Sequence, residues 1–409
     1  MPLPDGHPSV DEFHRDPYAY FGALRRVNPV SWTEFFDGPA WVVSGFAEAA
    51  GIMKDRRFVR EAPSEVRRPA SERVRRAFEM KHRMILVRDA PFHTRVRALI
   101  SKAFTPGLVA GRRPAIEAAA NDLLDRALER GEFDLMADFA RPLPLYVVCD
   151  LIGVPAADRD RAVAWSQALL TFIDFHSSDA DLEAASGAML EAREYFTHLI
   201  DARRRAPADD LVSSLLAEGA ASGAVSDDEI VASCVVLISA GHETTMNLIG
   251  NGYWLLLRHP EQLRRARAGP SPMSDAVEEI LRYESPVLTT SRWVSADLCV
   301  GGQTMRKGQF VILGIGGCNR DPRAFADPDR FDVSRSPVRH LSFGSGVHFC
   351  VGAALARLEG RIALQTLVSR LGESVIAAEP RWASSVALRG FDTLRIRAVG
   401  AARPAVRGR

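Results

Sequence analysis

The chain has 409 residues, of which 47% are apolar and 25% charged, and a formal net charge of +1. That length exceeds the ~250–300 residues at which single cores usually stop growing, so it calls for several domains or one large layered body. The composition supplies a full core and excludes extensive disorder, and the near-zero charge argues against a general affinity for nucleic acid. Met1 to Val10 lacks the basic and apolar regions of a signal peptide, and no apolar run reaches the ~18–20 residues of a membrane span. A cytoplasmic chain without membrane insertion is therefore expected. Five cysteines (Cys149, Cys234, Cys299, Cys318 and Cys350) are widely spaced without a C-x-x-C pair. A disulfide framework is not expected, and the first four read as plain buried thiols.

In chain order, residues 11–29 read as a helix, with Tyr18, Phe21 and Leu24 at helical spacing and Pro29 as its stop. Val30–Trp32 and Ala40–Val43 read as a β-hairpin around Asp37-Gly38-Pro39. Phe46–Lys54 reads as a short helix. Residues 55–88 are rich in arginine with weak periodicity, and read as a long surface segment without regular structure. Asp89 is a candidate cap and Pro91 a first-turn residue for a helix running to Phe104. Helices are predicted over 115–130, 140–152, 156–175, 182–205 and 209–217. Ser226 and Glu229 form a capping box that starts the longest run, Asp227–Arg258, about 48 Å at 1.5 Å per residue. Apolar nearly all round, this helix belongs at the centre of the body.

Helices over 261–267 and 275–283 follow. Composition then turns β-branched over 289–314, with a hairpin turn at Gly301-Gly302. A loop spans 319–337, a helix runs to Leu371, and strands are predicted within 374–398. No βαβ alternation, repeat or linker divides the chain. The expectation is one body over 1–409, mainly α, with a smaller β portion near 30–43, 289–314 and 374–398.

Two stretches carry chemistry. Phe343-Gly-Ser-Gly-Val-His-Phe-Cys350-Val-Gly352 holds three glycines in ten residues and leads into a helix. Glycines of this kind let backbone lie close to a ligand, and a thiol at a helix N-terminus is biased toward thiolate. In the central helix, Ala240-Gly-His-Glu-Thr-Thr245 interrupts the apolar run. Gly241 costs about 1 kcal/mol against alanine in a helix. Glu243 is expensive there unless used or paired. Together they point to a groove with an acid and a hydroxyl beside it. Structural zinc needs four N/S ligands, which are absent. A cysteine nucleophile with His348 as base leaves the interrupted helix unexplained. A lone thiolate on haem iron accounts for both stretches.

Phe343-x-x-Gly346-x-His348-x-Cys350-x-Gly352, Glu279-x-x-Arg282 and Ala240-Gly-x-Glu-Thr-Thr245 together resemble the cytochrome P-450 superfamily, in particular its soluble bacterial members. Asp89-x-Pro-x-His-Thr-Arg-x-Arg97, Asn319-Arg-Asp-Pro322 and Asp327-Pro-Asp-Arg-Phe-Asp332 extend the resemblance over nearly the whole chain. It implies a P-450 fold with haem b between the central helix and the helix after the cysteine loop. Cys350 then matches the thiolate ligand of the iron, and Phe343 the aromatic beside it. Gly344 and Gly352 fall in the haem-hugging loop, and Ala240 on the haem side of the central helix. His93, Arg97, Arg292 and His348 match the groups that hold the haem propionates. Glu279, Arg282 and Arg330 match a buried ionic triad. Glu243 and Thr244 match the acid–alcohol pair that delivers protons to dioxygen.

The resemblance also implies electrons from NAD(P)H through a ferredoxin or flavodoxin with its reductase. The helix bearing Arg95, Arg97 and Lys102, with Arg112 and Arg113 after it, suits an acidic partner. A monomer is expected. Pocket walls are expected from Met84, Leu86, Leu169, Phe172, Ile173, Gly241, Leu288, Thr289 and Phe391, a largely apolar set that suits a lipophilic small molecule. The expected activity is hydroxylation of a polyketide or macrolide-type natural product. Alternatives are a fatty-acyl hydroxylase, a haem-thiolate peroxygenase, and a non-catalytic haem sensor or recruitment domain.

Overall fold

The structure, a computed structural model, describes residues 9–36, 38–63, 71–174, 177–223 and 225–399. Asp37 of the predicted hairpin turn, residues 64–70 of the arginine-rich stretch, and Phe175 with His176 lie outside the described residues. The fold is mainly α with a smaller sheet portion.

The architecture is built on the central helix, Asp227–Arg258. Its capping box forms, with the Ser226 N–H donating to Glu229 Oε2 at 2.8 Å, so its start matches the sequence pattern. Helices Pro142–Ile152, Arg159–Ile173, Asp179–Arg205 and Ala353–Arg370 pack around it. The crossing with Ala353–Arg370 is close because small residues lie at it. A Cβ on Gly360 would sit 2.7 Å from Leu248 Cδ2, and one on Gly252 would sit 3.0 Å from Leu364 Cδ1. Two large apolar clusters fill the two ends of this helix. One includes Leu248, Tyr253, Ile280 and Leu364. The other includes Val235, Ile238, Trp165 and Phe196.

The main sheet has five strands in the spatial order Val30–Glu34, Pro39–Val43, Phe310–Leu313, Thr290–Val294 and Phe58–Val59. The first two form the predicted hairpin, with Val30 opposite Val43. Val42 pairs in parallel with Ile312, and Arg292 pairs antiparallel with Val311. The Gly301-Gly302 turn closes Leu298–Val300 on Gln303–Met305, with φ of +57° and +77°, which suits glycine at both positions. Of the four cysteines expected to be buried, Cys149, Cys234 and Cys318 are, whereas Cys299 is exposed on this hairpin.

Several boundaries differ from the sequence pattern. The first helical stretch breaks into Val10–Arg15 and Pro17–Val27, because Asp16 accepts from the Ala19 N–H and caps the second piece. The arginine-rich stretch contains the helix Glu72–Lys81, whose buried Val74, Ala77 and Met80 recur every third residue. Three apolar residues among charges gave too weak a period to show. Asp89 does not cap the helix after it, Phe92–Ser101. Its carboxylate turns away and accepts from the Arg60 and Glu61 N–H groups at 2.8 and 2.9 Å.

The buried ionic triad changes one member. Glu279 and Arg282, both fully buried, pair at 2.7 and 2.8 Å. The guanidinium also donates to the carbonyls of Asn319, Pro328 and Arg330. All five of its donors are thereby used. Arg330 therefore contributes its carbonyl, while its side chain is 64% exposed and faces Asp332. The second cation on Glu279 is Arg335, at 3.4 Å and 19% exposed. Asp327 in this loop has φ +45°, and its carbonyl accepts from the Arg330 N–H at 3.0 Å.

Two stability predictions follow from these pairs. Arg282→Ala leaves the Glu279 carboxylate buried without its main partner, so it costs about 3–5 kcal/mol. Thermal unfolding should rank the losses Arg282→Ala, then Arg335→Ala, with Arg330→Ala near zero. Glu278 is a second case. Burial raises its carboxyl, but bonds from His340 and Arg357 and the charge of Arg357 outweigh this and hold it at about 2. A lowered carboxylate stabilises above its unfolded pKa and loses that contribution as pH falls through about 4.5 toward 2. Glu278→Gln should therefore lower the melting temperature at neutral pH, with the gap to the wild type closing at acid pH.

Candidate haem and active site

The cysteine loop is shaped by its own backbone. The Cys350 N–H donates to the Phe343 carbonyl at 2.8 Å, and Gly344 N–H to the Leu341 carbonyl at 2.8 Å. Gly344 and Gly346 have φ of +71° and +72°, and a Cβ on Gly346 would sit 2.5 Å from the Met53 carbonyl oxygen. Only glycine fits this close approach. Cys350 precedes the helix Ala353–Arg370. Burial pushes its thiol up, while the Gly352 N–H and the charges of Arg97 and Arg357 favour the thiolate. Glu278 holds Arg357 at 2.6 and 2.9 Å, which sets that guanidinium 4.4 Å over the Phe343 ring. Among the described residues no group of three His, Cys, Asp or Glu side chains is placed to hold a metal ion.

His93 and His348 meet with ring centroids 4.1 Å apart. Arg292 is 4% exposed and donates to the Ser291 carbonyl at 2.6 Å. Arg60, which sequence reasoning missed, joins them and bonds Thr290 Oγ1 and the Ser291 carbonyl, each at 3.0 Å. Nothing in the local pattern set Arg60 apart from the other arginines of its stretch. Asp89 is the carboxylate whose charge all four groups feel. It lies 3.7 Å from His348 Nε2. Burial, with His348 and Arg97 next, pushes His93 down to about 4. Burial and Arg60 likewise hold Arg292 well below its usual value. His348 Nε2 and Arg60 Nε are buried without a hydrogen-bond partner. A cationic cluster with unmet donors suits a ligand that brings carboxylates. Arg97 is turned toward the loop, donating to the Phe349 carbonyl at 2.6 Å.

Midway along the otherwise buried central helix, Ala240 is exposed and Gly241 and Thr244 are partly so. This open stretch coincides with the interruption at 240–245 in the sequence. Thr244 Oγ1 donates to the Ala240 carbonyl at 2.8 Å. A Cβ on Gly241 would press Val148 Cγ2 at 3.2 Å, so this glycine also serves the packing of Pro142–Ile152. Glu243 is buried and turned to the other side, where it accepts from Ser166 Oγ at 3.1 Å. Residues one apart on a helix differ by about 100°, so Glu243 and Thr244 do not face each other. A lone thiol, a cluster of arginines and histidines and an opened helix wall together fit haem with its two propionates.

The predicted pocket residues divide. Leu86, Ile173 and Gly241 keep partial exposure. Met84, Leu169 and Phe172 are sealed in the apolar cluster behind them. Thr289 is 3% exposed and its hydroxyl donates to the Val386 carbonyl at 2.9 Å, so the loop before Phe391 covers it. Leu288 is a correction: it is fully buried in the sheet's core with Phe21, Val42 and Ile312. Phe391 is another. It stacks on Trp382 at 3.9 Å and lies against Gly250, six residues beyond Thr244 and about 9 Å further along the helix.

The basic face expected for a redox partner is largely paired within the chain. Arg95 bridges Glu229 at 2.6 Å, Lys102 bridges Glu218 at 2.6 Å, and Arg113 bridges Glu117 at 3.2 Å. Among the described residues no helix is long and apolar enough to cross a membrane.

Residues 273–380 match the family Cytochrome P450. The chain is 40% identical over 374 residues to the biotin biosynthesis cytochrome P450 of Bacillus subtilis (strain 168), covering 91% of this chain and 93% of that one. It is 38% identical over 406 residues to 6-deoxyerythronolide B hydroxylase of Saccharopolyspora erythraea, covering 95% and 98%. Among solved structures, P450BioI in complex with hexadec-9Z-enoic acid ligated acyl carrier protein superposes with a TM-score of 0.90 at 38% identity, covering 95% of this chain and all of that one. The chain belongs to the cytochrome P450 family: it is an oxidoreductase, a monooxygenase that carries haem and uses dioxygen.

Proposed function

We propose that this P450 hydroxylates a lipophilic polyketide or macrolide-type natural product. The observation that carries the monooxygenase assignment to particular residues is the one open turn of the central helix, where Ala240 is exposed beside the Thr244 hydroxyl. Support for the substrate class comes from the relative that hydroxylates 6-deoxyerythronolide B. The partly exposed apolar side chains Leu86 and Ile173 suit such a substrate. A second reading, oxidation of a fatty-acyl chain held on a carrier protein, is favoured by the likeness to P450BioI.

In this reading Cys350 would ligate the haem iron, and His93, Arg97, Arg292, His348 and Arg60 would hold its propionates. Bound haem supplies the redox chemistry, and thiolate ligation favours O–O cleavage. The Gly352 N–H and the Arg97 and Arg357 charges stabilise the thiolate against its burial. Phe343, whose carbonyl accepts from the Cys350 N–H, is held by Arg357. The Thr244 hydroxyl, now donating to the Ala240 carbonyl, turns to donate on the open side. Glu243, its carboxyl raised by burial, is a proton reservoir. Electrons reach the site from NAD(P)H through a ferredoxin or flavodoxin and its reductase.

Three outcomes test this. Cys350→Ser should remove the thiolate signature from the absorption spectrum of the reduced, carbon monoxide-bound protein; an unchanged spectrum refutes Cys350 as ligand. Thr244→Ala should keep haem but divert electrons to peroxide, lowering product formation on the order of 10²-fold, the scale of a lost proton-transfer group. Spin-state titrations with macrolide aglycones, free fatty acids and acyl carrier conjugates, then product analysis with a surrogate ferredoxin system, decide the substrate. Turnover of an acyl conjugate alone selects the second reading.

A further inference from the structure

Glu243 has a defined set of partners on the side away from Thr244. Its Oε1 accepts from Ser166 Oγ at 3.1 Å, and the same hydroxyl lies 3.1 Å from His242 Nδ1. Ser166 belongs to the helix Arg159–Ile173, and its carbonyl accepts from Ser239 Oγ at 3.1 Å, one turn before Glu243. Ser166 and His242 are fully buried and Glu243 is 7% exposed. Two helices are thus tied together by polar groups at the level of the open turn.

The proton count of this cluster is constrained. A serine hydroxyl has one proton to give and can accept from others. With that proton donated to Glu243, Ser166 Oγ accepts from His242, whose ring must then carry hydrogen on Nδ1. His242 Nε2 is left as an acceptor. It is buried and has no hydrogen-bond partner. The ring also meets the backbone of Arg141, whose hydrogen bond raises His242 against its burial, so a proton taken up by the ring has an acceptor beside it. The charged group facing both Glu243 and His242 is Arg141, from the turn leading into Pro142–Ile152; Arg159–Ile173 contributes Ser166.

We propose that Ser166 and His242 are the proton feed of Glu243: they hold its carboxyl toward Arg159–Ile173 and reload it after each proton it gives up. The inference rests on the reading of Glu243 as a proton donor. The transfer balances as an imidazole relay. A solvent water gives a proton to the ring as Nδ1–H gives its own to Ser166 Oγ. Ser166 gives its original proton to the Glu243 carboxylate. The hydroxide left at the entry is neutralised by solvent, and tautomer exchange restores the ring. Burial favours both end groups in their neutral forms, raising Glu243 and holding His242 at about 4, so each reloading ends without stored charge.

The test uses the holoenzyme with Ser166→Ala, Ser166→Cys and His242→Phe. The readout independent of turnover is the carboxyl C=O stretch in infrared difference spectra of the reduced carbon monoxide complex, assigned to Glu243 by its loss in Glu243→Gln. Ser166→Ala should move the band to higher frequency and raise the pH at which it disappears, because the lost hydrogen bond favours the carboxylate. Ser166→Cys keeps the volume but is a weak donor, and should do the same. His242→Phe should leave the band nearly in place yet, like the serine variants, lower product per electron pair several-fold and enlarge the solvent isotope effect. An unmoved band in Ser166→Ala, or wild-type coupling and isotope effect in His242→Phe, overturns the proposal. So does full recovery by Ser166→Cys, which would assign the effect to packing. Full coupling in Glu243→Gln would instead overturn the role of Glu243 itself.

Discussion

A 32-residue helix that is apolar on nearly every side must be covered on nearly every side. That demand organises the rest of the molecule. Four helices pack around Asp227–Arg258, and close crossings at Gly252 and Gly360 lock it to the helix that follows the cysteine loop. Any turn left uncovered is therefore costly unless something else fills it. The uncovered turn is at Ala240 and Thr244, where side chains are small. This turn lies between long buried stretches of the same helix.

The buried charges divide by the same logic. Arg282 has every donor used, so its pair with Glu279 can be fully desolvated and serve only to hold the 319–335 loop in place. The cations around Asp89 are the opposite case. His348 and Arg60 keep buried nitrogens without hydrogen bonds, and His93 and Arg292 are both shifted against their charged forms. Such a cluster is incomplete by itself and suits the carboxylates of a ligand. Glu243 lies between these extremes, with Ser166 as its one hydroxyl partner and the His242 ring 3.5 Å away.

Much of the site was legible because its chemistry is local. The glycine spacing around Cys350, the interruption at 240–245 and the Ser226–Glu229 box each act within a turn or a few residues, so residue type and spacing carry them. Glu279 and Arg282 were legible for the same reason, being one helical turn apart. The third member of that group was not. Which of Arg330 and Arg335 reaches Glu279 depends on how the loop turns through Asp327, and the answer was Arg335. Asp89 looked like a helix cap in sequence, yet its carboxylate is taken by backbone N–H groups 28 and 29 residues away. Leu288 and Phe391 have the right type for a pocket wall, but pairing with Val386–Leu388 and stacking on Trp382 carry them into cores.

The sequence by itself determined the helical body, the long central helix and the family. These follow from periodicity and from short motifs whose meaning does not depend on distant partners. The tertiary structure decided which cations share Asp89, that Arg60 is one of them, that the expected basic face is mostly spent on internal ion pairs, and that Glu243 turns to Ser166 and His242 rather than to Thr244. Those are contacts between residues tens to hundreds of positions apart, and no local rule ranks one arginine, serine or loop residue above another until packing brings it within reach.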